Sequence, residues 1–314
     1  MSATLGLIGV GNLGEQFMLR CHKLGRRVVA YDKFAKKKIP EKIRAESIFE
    51  LTRSTKIVVS FVPNDTALRS VVSELLPLQE EIFHISCSTV SPHLSRELAY
   101  AHKKSGHKFV AAPVFARPEN LRDGQACFIL SGATEDVQIA RKYLHDLAEK
   151  VVDFGSDPGA ANVVKLAGNF MIASSIELIA EALALVEKNG VDRQLTMGLM
   201  SSTIFNCPIF KGYGHRVATR DHRPGGFALE HGLKDINLIL DTANQSAQPL
   251  PLASLLQHRL RASDNFGHSH LDWSAFALRS TADGGLHHQV DLALQHAVRD
   301  DAKPKEDDRT TDPK

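Results

Sequence analysis

The 314-residue sequence predicts an α/β protein, with a doubly wound and mostly parallel sheet in its first half and an all-helical domain after it. Two observations carry that expectation. Short apolar runs alternate with helical stretches up to residue 155, the pattern of a parallel sheet with crossover helices. From PGAANVVKLAGNFMIASSIELIAEALALVEKNG (158–190) onward, almost only helical periods remain.

In chain order, LGLIGV (5–10), RVVAY (27–31), KIVVSF (56–61), IFHIS (82–86), KFVAAP (108–113) and CFILSG (127–132) read as strands. Stretches such as NLGEQFMLRCHKLG and VSPHLSRELAYAHKKSG are long enough for crossover helices between them. VVDFG (151–155) closes the pattern. The expected domains are therefore 1–157 and 158–299, with a charged tail from 300 to 314 whose composition predicts disorder. No internal repeat is evident.

Composition excludes several classes. With 43% hydrophobic and 24% charged residues the chain is an ordinary globular one. A net charge of +2 with 15 histidines argues against nucleic acid or a membrane surface as the main partner. Apolar runs are interrupted before the roughly 18 residues a membrane span needs, and a first strand starting near residue 5 leaves no room for a leader. Cys21, Cys87, Cys127 and Cys207 have neither metal-ligand spacing nor disulfide density. A cytoplasmic setting and no metal are the expectation. Histidines at 268 and 270, and at 287 and 288, lack nearby carboxylates in metal-ligand order. Trp273 and Phe276 are expected in the core of the helical domain.

The stretch GLIGVGNLG (6–14) holds G-x-G-x-x-G at Gly9, Gly11 and Gly14, with Asn12 and Leu13 inside it. The first glycine allows a tight turn, the second lets a pyrophosphate approach the backbone, and the third allows a helix to pack closely on a strand. The helix N-terminus then faces the phosphate charge. A second strand ends at Asp32, placed to accept ribose hydroxyls. In that context the glycines predict a Rossmann-type dinucleotide site. Asp32 repels a 2′-phosphate and favours NAD over NADP, whereas Lys33 and Lys36 to Lys38 form a basic cluster able to hold one. A solvated loop is the plainer reading of those lysines, so NAD is favoured.

In the second half Asn162, Lys165 and Asn169 are spaced by three and four, on one face of an otherwise apolar helix. Such a stripe needs a polar counterpart: water, a ligand or another domain. A partly buried lysine is suited to proton transfer, but the pattern alone favours a lysine with its head in solvent.

Taken in order, GLIGVGNLG (6–14), SCSTVSP (86–92), AAPVFARPENLRDGQACFILSG (111–132), GAANVVKLAGN (159–169) and GLKDINLIL (232–240) make a set that resembles the β-hydroxyacid dehydrogenases. That group includes 3-hydroxyisobutyrate dehydrogenase and the glyoxylate/succinic semialdehyde reductases, within the 6-phosphogluconate dehydrogenase type of fold. The resemblance spans roughly residues 4 to 280 and implies an NAD(P)-dependent enzyme acting on a small hydroxyacid or aldehydo- or keto-acid. It implies Lys165 as catalytic acid and base, Asn169 and Ser88 against the substrate, and Lys234 reaching toward cofactor and substrate. Val62 and Pro63 would lie along the cofactor with Thr89 near it. A helix cap before PHLSREL is the structural reading of Ser88 and Thr89. The same resemblance implies a cleft between the domains as the active site, a carboxylate substrate, and a homodimer or homotetramer supported by the helix 160–188.

The chain departs from the family where Asp-Ala-Pro-Val-Ser-Gly-Gly is usual: Phe115, Ala116 and Arg117 stand at the Ser-Gly-Gly positions. The aspartate there is Ala111 or Ala112, and that before the serine-threonine motif is Ser86. Phe115 narrows or dries the pocket, and Arg117 has the chemistry to bind a carboxylate bidentately. Rival readings are an imine reductase-like enzyme and a non-catalytic dinucleotide-binding scaffold. Imine-reducing relatives generally carry aspartate or tyrosine at the position of Lys165, and a scaffold would have little use for that lysine. A decarboxylating sugar-phosphate dehydrogenase is disfavoured by the short chain.

Overall fold

Parallel strands buried on both faces read as unbroken apolar runs, and here they form one sheet. The computed structural model describes residues 4–301. Strands β1 (Leu5–Ile8), β2 (Val28–Tyr31), β3 (Ile57–Ser60), β4 (Phe83–Ser86), β5 (Lys108–Ala111), β6 (Val114–Phe115), β7 (Cys127–Gly132) and β8 (Lys150–Asp153) are arranged in the order β2-β1-β3-β4-β5-β7-β6, with β8 also on β7. Strands β1 to β5 pair in parallel. β7 runs antiparallel to both β5 and β6, and parallel to β8. The two-residue β6 is too short to show as alternation in the sequence.

Between the strands run α1 (Asn12–Lys23), α2 (Ile48–Ser54), α3 (Asp65–Leu75), α4 (Pro92–Lys104), α5 (Pro118–Asp123) and α6 (Thr134–Leu144). Leu5, Leu7, Val59, Ile85 and Val110 are fully buried in the sheet. At about 1.5–3 kcal/mol for each such side chain, this core supplies the main drive to fold. Asn64 and Ser91 cap α3 and α4, each side chain accepting a backbone N–H one turn in. The cap expected of Ser88 and Thr89 is thus made by Ser91.

The chain then continues through α7 (Ala160–Lys188), α8 (Arg193–Ser202), α9 (Pro208–Thr219), α10 (Leu229–Gln245), α11 (Pro251–Asn265), α12 (Leu278–Asp283) and α13 (His287–Asp301). The last strand ends at Asp153 and the first of these helices starts at Ala160. Compactness divides the chain elsewhere: one unit comprises the residues up to Phe170 together with Asp235–Leu250, and the other takes Met171–Lys234 and the residues from Pro251. In the helical unit Trp273 and Phe276 are buried, with Tyr213 and Phe227 edge-on to the Trp273 ring. Of the expected tail, residues 300 and 301 close α13, and the rest lies outside the described residues.

One expectation needs correction. Helix α7 holds an 18-residue window of mean hydropathy 1.6, long and apolar enough by composition to cross a membrane. Scattered single polar residues interrupt the run without lowering its average below that of a span. Its Glu177 is buried and takes hydrogen bonds from Arg259 at 2.8 Å and Ser280 at 3.1 Å, the arrangement of a packed helix.

Candidate functional site

The first unit gathers most of the residues singled out in the sequence. Gly9 adopts φ +91°, and a Cβ there would lie 2.1 Å from the Phe61 carbonyl oxygen. A Cβ on Gly14 would stand 2.0 Å from the Gly9 oxygen. Neither position admits a side chain. At Gly11, by contrast, a Cβ would meet nothing within 4 Å. Gly11 is also the N-cap of α1 and gives it no side-chain hydrogen bond. The turn thus opens the helix's N–H groups to an anion, and a dinucleotide pyrophosphate fits there. Asn12 is exposed beside it and Leu13 half-buried.

The Asp32 carboxylate accepts the Val10 N–H at 2.6 Å on one oxygen, and the N–H groups of Phe34 and Ala35 at 2.7 Å on the other. It locks the end of β2 to the glycine turn. Lys33 is exposed, Lys36 pairs with Glu46 at 2.8 Å, and Lys38 pairs with Glu15 at 3.0 Å. Two of the cluster's charges are thereby matched by carboxylates.

Beyond β3, Val62 is half-buried and Pro63 exposed. The Val62 N–H donates to the buried Ser88 hydroxyl at 2.9 Å, which ties the two loops together. Thr89 follows, half-buried.

The stripe on α7 finds its counterparts within this unit. Asn162 is buried, accepting the Val90 N–H at 3.1 Å and donating to Ser95 Oγ at 2.9 Å; it fastens α7 to α4. Lys165 is half-buried, and its Nζ donates to Asn169 Oδ1 at 3.0 Å. Asn169 in turn donates through Nδ2 to the buried Asp235 at 2.5 Å. The Asn169 amide can take only one orientation: nitrogen toward carboxylate, oxygen toward ammonium. The Lys165 ammonium also lies 4.2 Å from the centre of the Phe115 ring.

Arg117 is the N-cap of α5, and its Nε donates to Glu119 at 2.9 Å. Lys234 is half-buried on α10 and belongs to the helical unit. Among the described residues, no group of three or more His, Cys, Asp or Glu side chains could hold a metal.

Asp235 is the residue that the sequence reading missed. Its signal was available: Gly232, Asp235, Ile236 and Ile239 fall on one helical face, so the carboxylate lies on the apolar side. A charge there calls for a partner.

A doubly wound sheet, a glycine turn whose middle glycine lies open, and an acidic residue closing β2 define a dinucleotide-binding fold. Residues 4–155 match the NAD binding domain of 6-phosphogluconate dehydrogenase. Residues 159–279 match the family described as NAD-binding of NADP-dependent 3-hydroxyisobutyrate dehydrogenase. An uncharacterised oxidoreductase of Bacillus subtilis is 30% identical over 86% of this chain and 97% of its own. The mitochondrial 3-hydroxyisobutyrate dehydrogenase of Mus musculus is 27% identical over 86% and 85%. In fold, the chain is similar to the Mycobacterium tuberculosis 3-hydroxyisobutyrate dehydrogenase solved with L-serine. That similarity has a TM-score of 0.79 at 23% identity, covering 89% of this chain and 99% of the other. The chain belongs to the β-hydroxyacid dehydrogenase family.

Proposed function

We propose that the protein interconverts a small hydroxyacid and the matching aldehydo- or keto-acid, with Lys165 as proton donor and acceptor and NAD preferred to NADP. The observation that carries this is the chain Asp235–Asn169–Lys165, which aims one ammonium by two successive hydrogen bonds. A bound nicotinamide supplies the hydride in reduction and receives it in oxidation. Lys165 gives its proton to the carbonyl oxygen in reduction, and as the amine takes it from the alcohol in oxidation. Its charge also stabilises the developing alkoxide. Asn169 and Asp235 hold the direction of that transfer.

The Ser88 hydroxyl accepts from Val62, so its own proton is available to a substrate carboxylate or to the nicotinamide amide. For the coenzyme, the supporting facts are the Asp32 carboxylate beside the glycine turn and the matching of Lys36 and Lys38 by glutamates. A second copy of the chain is the proposed partner. Met171, Leu178 and Leu185 recur every seven residues on α7 and are exposed, as are Leu195, Leu199 and Ile204 elsewhere on the helical unit.

The test is oxidation of NADH and of NADPH by the purified protein with glyoxylate, succinic semialdehyde and related oxo-acids, with cyclic imines as control. Lys165→Ala is expected to lower turnover about 10²- to 10⁴-fold while cofactor affinity holds. Near-normal turnover in that variant refutes the assignment.

A further inference from the structure

Phe115 stands where the family has the serine of Ser-Gly-Gly, and the structure sets a charged side chain against the face of this ring. Val114 and Phe115 form β6, so their side chains take opposite faces. Val114 enters one core cluster of the sheet, and Phe115 turns toward α7 and packs against another, as Val164 of α7 also does. Its backbone is fixed by pairing with Cys127 of β7. On α7, Gly168 leaves the gap into which the ring fits: a Cβ there would come within 2.2 Å of Phe115 Cζ. One turn back on the same helix, the Lys165 ammonium rests over the ring face at 4.2 Å from its centre. That is well inside the roughly 6 Å over which a ring quadrupole attracts a cation.

We infer that Phe115 is a positioning residue for Lys165: its aromatic face, seated on the bare backbone of Gly168, holds the ammonium on the side of Asn169. An aliphatic side chain of equal size would fill the space but could not attract the charge. Groups of different kinds therefore act on the lysine, among them a hydrogen-bond acceptor on its own helix and an aromatic face from the sheet. This rests on the reading of Lys165 as the proton-transferring group, because only then does its direction bear on the reaction.

The test reads the lysine itself and needs no substrate. The intact protein is treated briefly with acetic anhydride, and acetylation of each lysine is measured by peptide mass spectrometry. Phe115→Leu is expected to raise the rate at Lys165 about three- to tenfold over the wild type, with the other lysines unchanged. Phe115→Ile, a second aliphatic replacement, should label like Phe115→Leu. Gly168→Ala displaces the ring and should match Phe115→Leu, and the double variant should be no faster than either. Melting curves establish that each variant is folded.

Unchanged labelling in a folded Phe115→Leu protein overturns the inference, as does an Ile variant that labels like the wild type. Additive effects in the double variant would also overturn it. Normal turnover in Lys165→Ala would remove the acid–base reading alone, leaving the labelling to decide whether the ring holds the ammonium.

Discussion

Acid is expected to unfold the sheet-bearing unit through two buried imidazoles. His102 Nδ1 lies 2.7 Å from the Leu98 carbonyl, which only accepts, so that nitrogen carries the proton. Its Nε2 must then accept from His84 Nδ1 at 3.2 Å, and His84 Nε2 from the Ser60 hydroxyl at 2.9 Å. Each ring holds one proton; a second on His102 would set its Nε2–H against the His84 Nδ1–H, and a second on His84 would force the Ser60 hydroxyl to turn and accept. Burial, and then the neighbouring His102, hold His84 well below the usual histidine range. Burial, helped by His107 and opposed by the Leu98 hydrogen bond, takes His102 from 6.5 to about 4. Above pH 6.5 neither ring costs anything. As pH falls from 6.5 toward 4 the unfolded chain takes up protons that the folded one refuses, and stability is lost. For His102 alone the loss at pH 5 is about 2 kcal/mol, and His84 adds in the same sense.

Urea unfolding at pH 7 and pH 5 measures this by far-ultraviolet circular dichroism, while Trp273 fluorescence reports the helical unit separately. The comparison is a protein carrying His84→Phe and His102→Phe, whose rings can still pack on Phe109. That variant should be weaker at pH 7, where the Ser60 hydroxyl loses its partner, yet lose at least about 2 kcal/mol less between the two pH values. Equal losses in the two proteins would refute the reasoning.

Two further expectations follow from the same geometry. Gly14→Ala drives a Cβ against the Gly9 carbonyl, a backbone atom that cannot yield cheaply. It should cost about 1–3 kcal/mol and weaken NADH binding, and a wild-type melting curve with wild-type affinity would contradict it. Leu178→Glu with Leu185→Glu should convert the proposed dimer to monomers in light scattering, and a wild-type protein that is itself monomeric at micromolar concentration would dispose of the dimer.

The sheet was legible because parallel strands must be apolar on both faces, and the glycine turn because Gly9 and Gly14 sit where no side chain fits and Gly11 leaves the turn open between them. The α7 stripe was legible as a pattern but not in its meaning. Asn162 turned out to be a fastening to α4, whereas Lys165 and Asn169 joined a relay whose far end, Asp235, lies 66 residues further along the chain. Spacing on one helix cannot show which residue another helix brings to it. Phe115 was visible as a departure, but its contact with Lys165 depends on a two-residue strand and on a glycine whose bareness matters only from the other side.

The Asp32 carboxylate has a consequence for redesign. Its two oxygens already satisfy three main-chain amides, one in the glycine turn and two in the loop after β2. An attempt to reverse coenzyme preference by trimming this side chain to alanine would strand those amides before any phosphate arrived. The turn would loosen for either coenzyme. A workable exchange keeps an oxygen at this place, as asparagine or serine would, and recruits the positive charge from neighbouring positions instead.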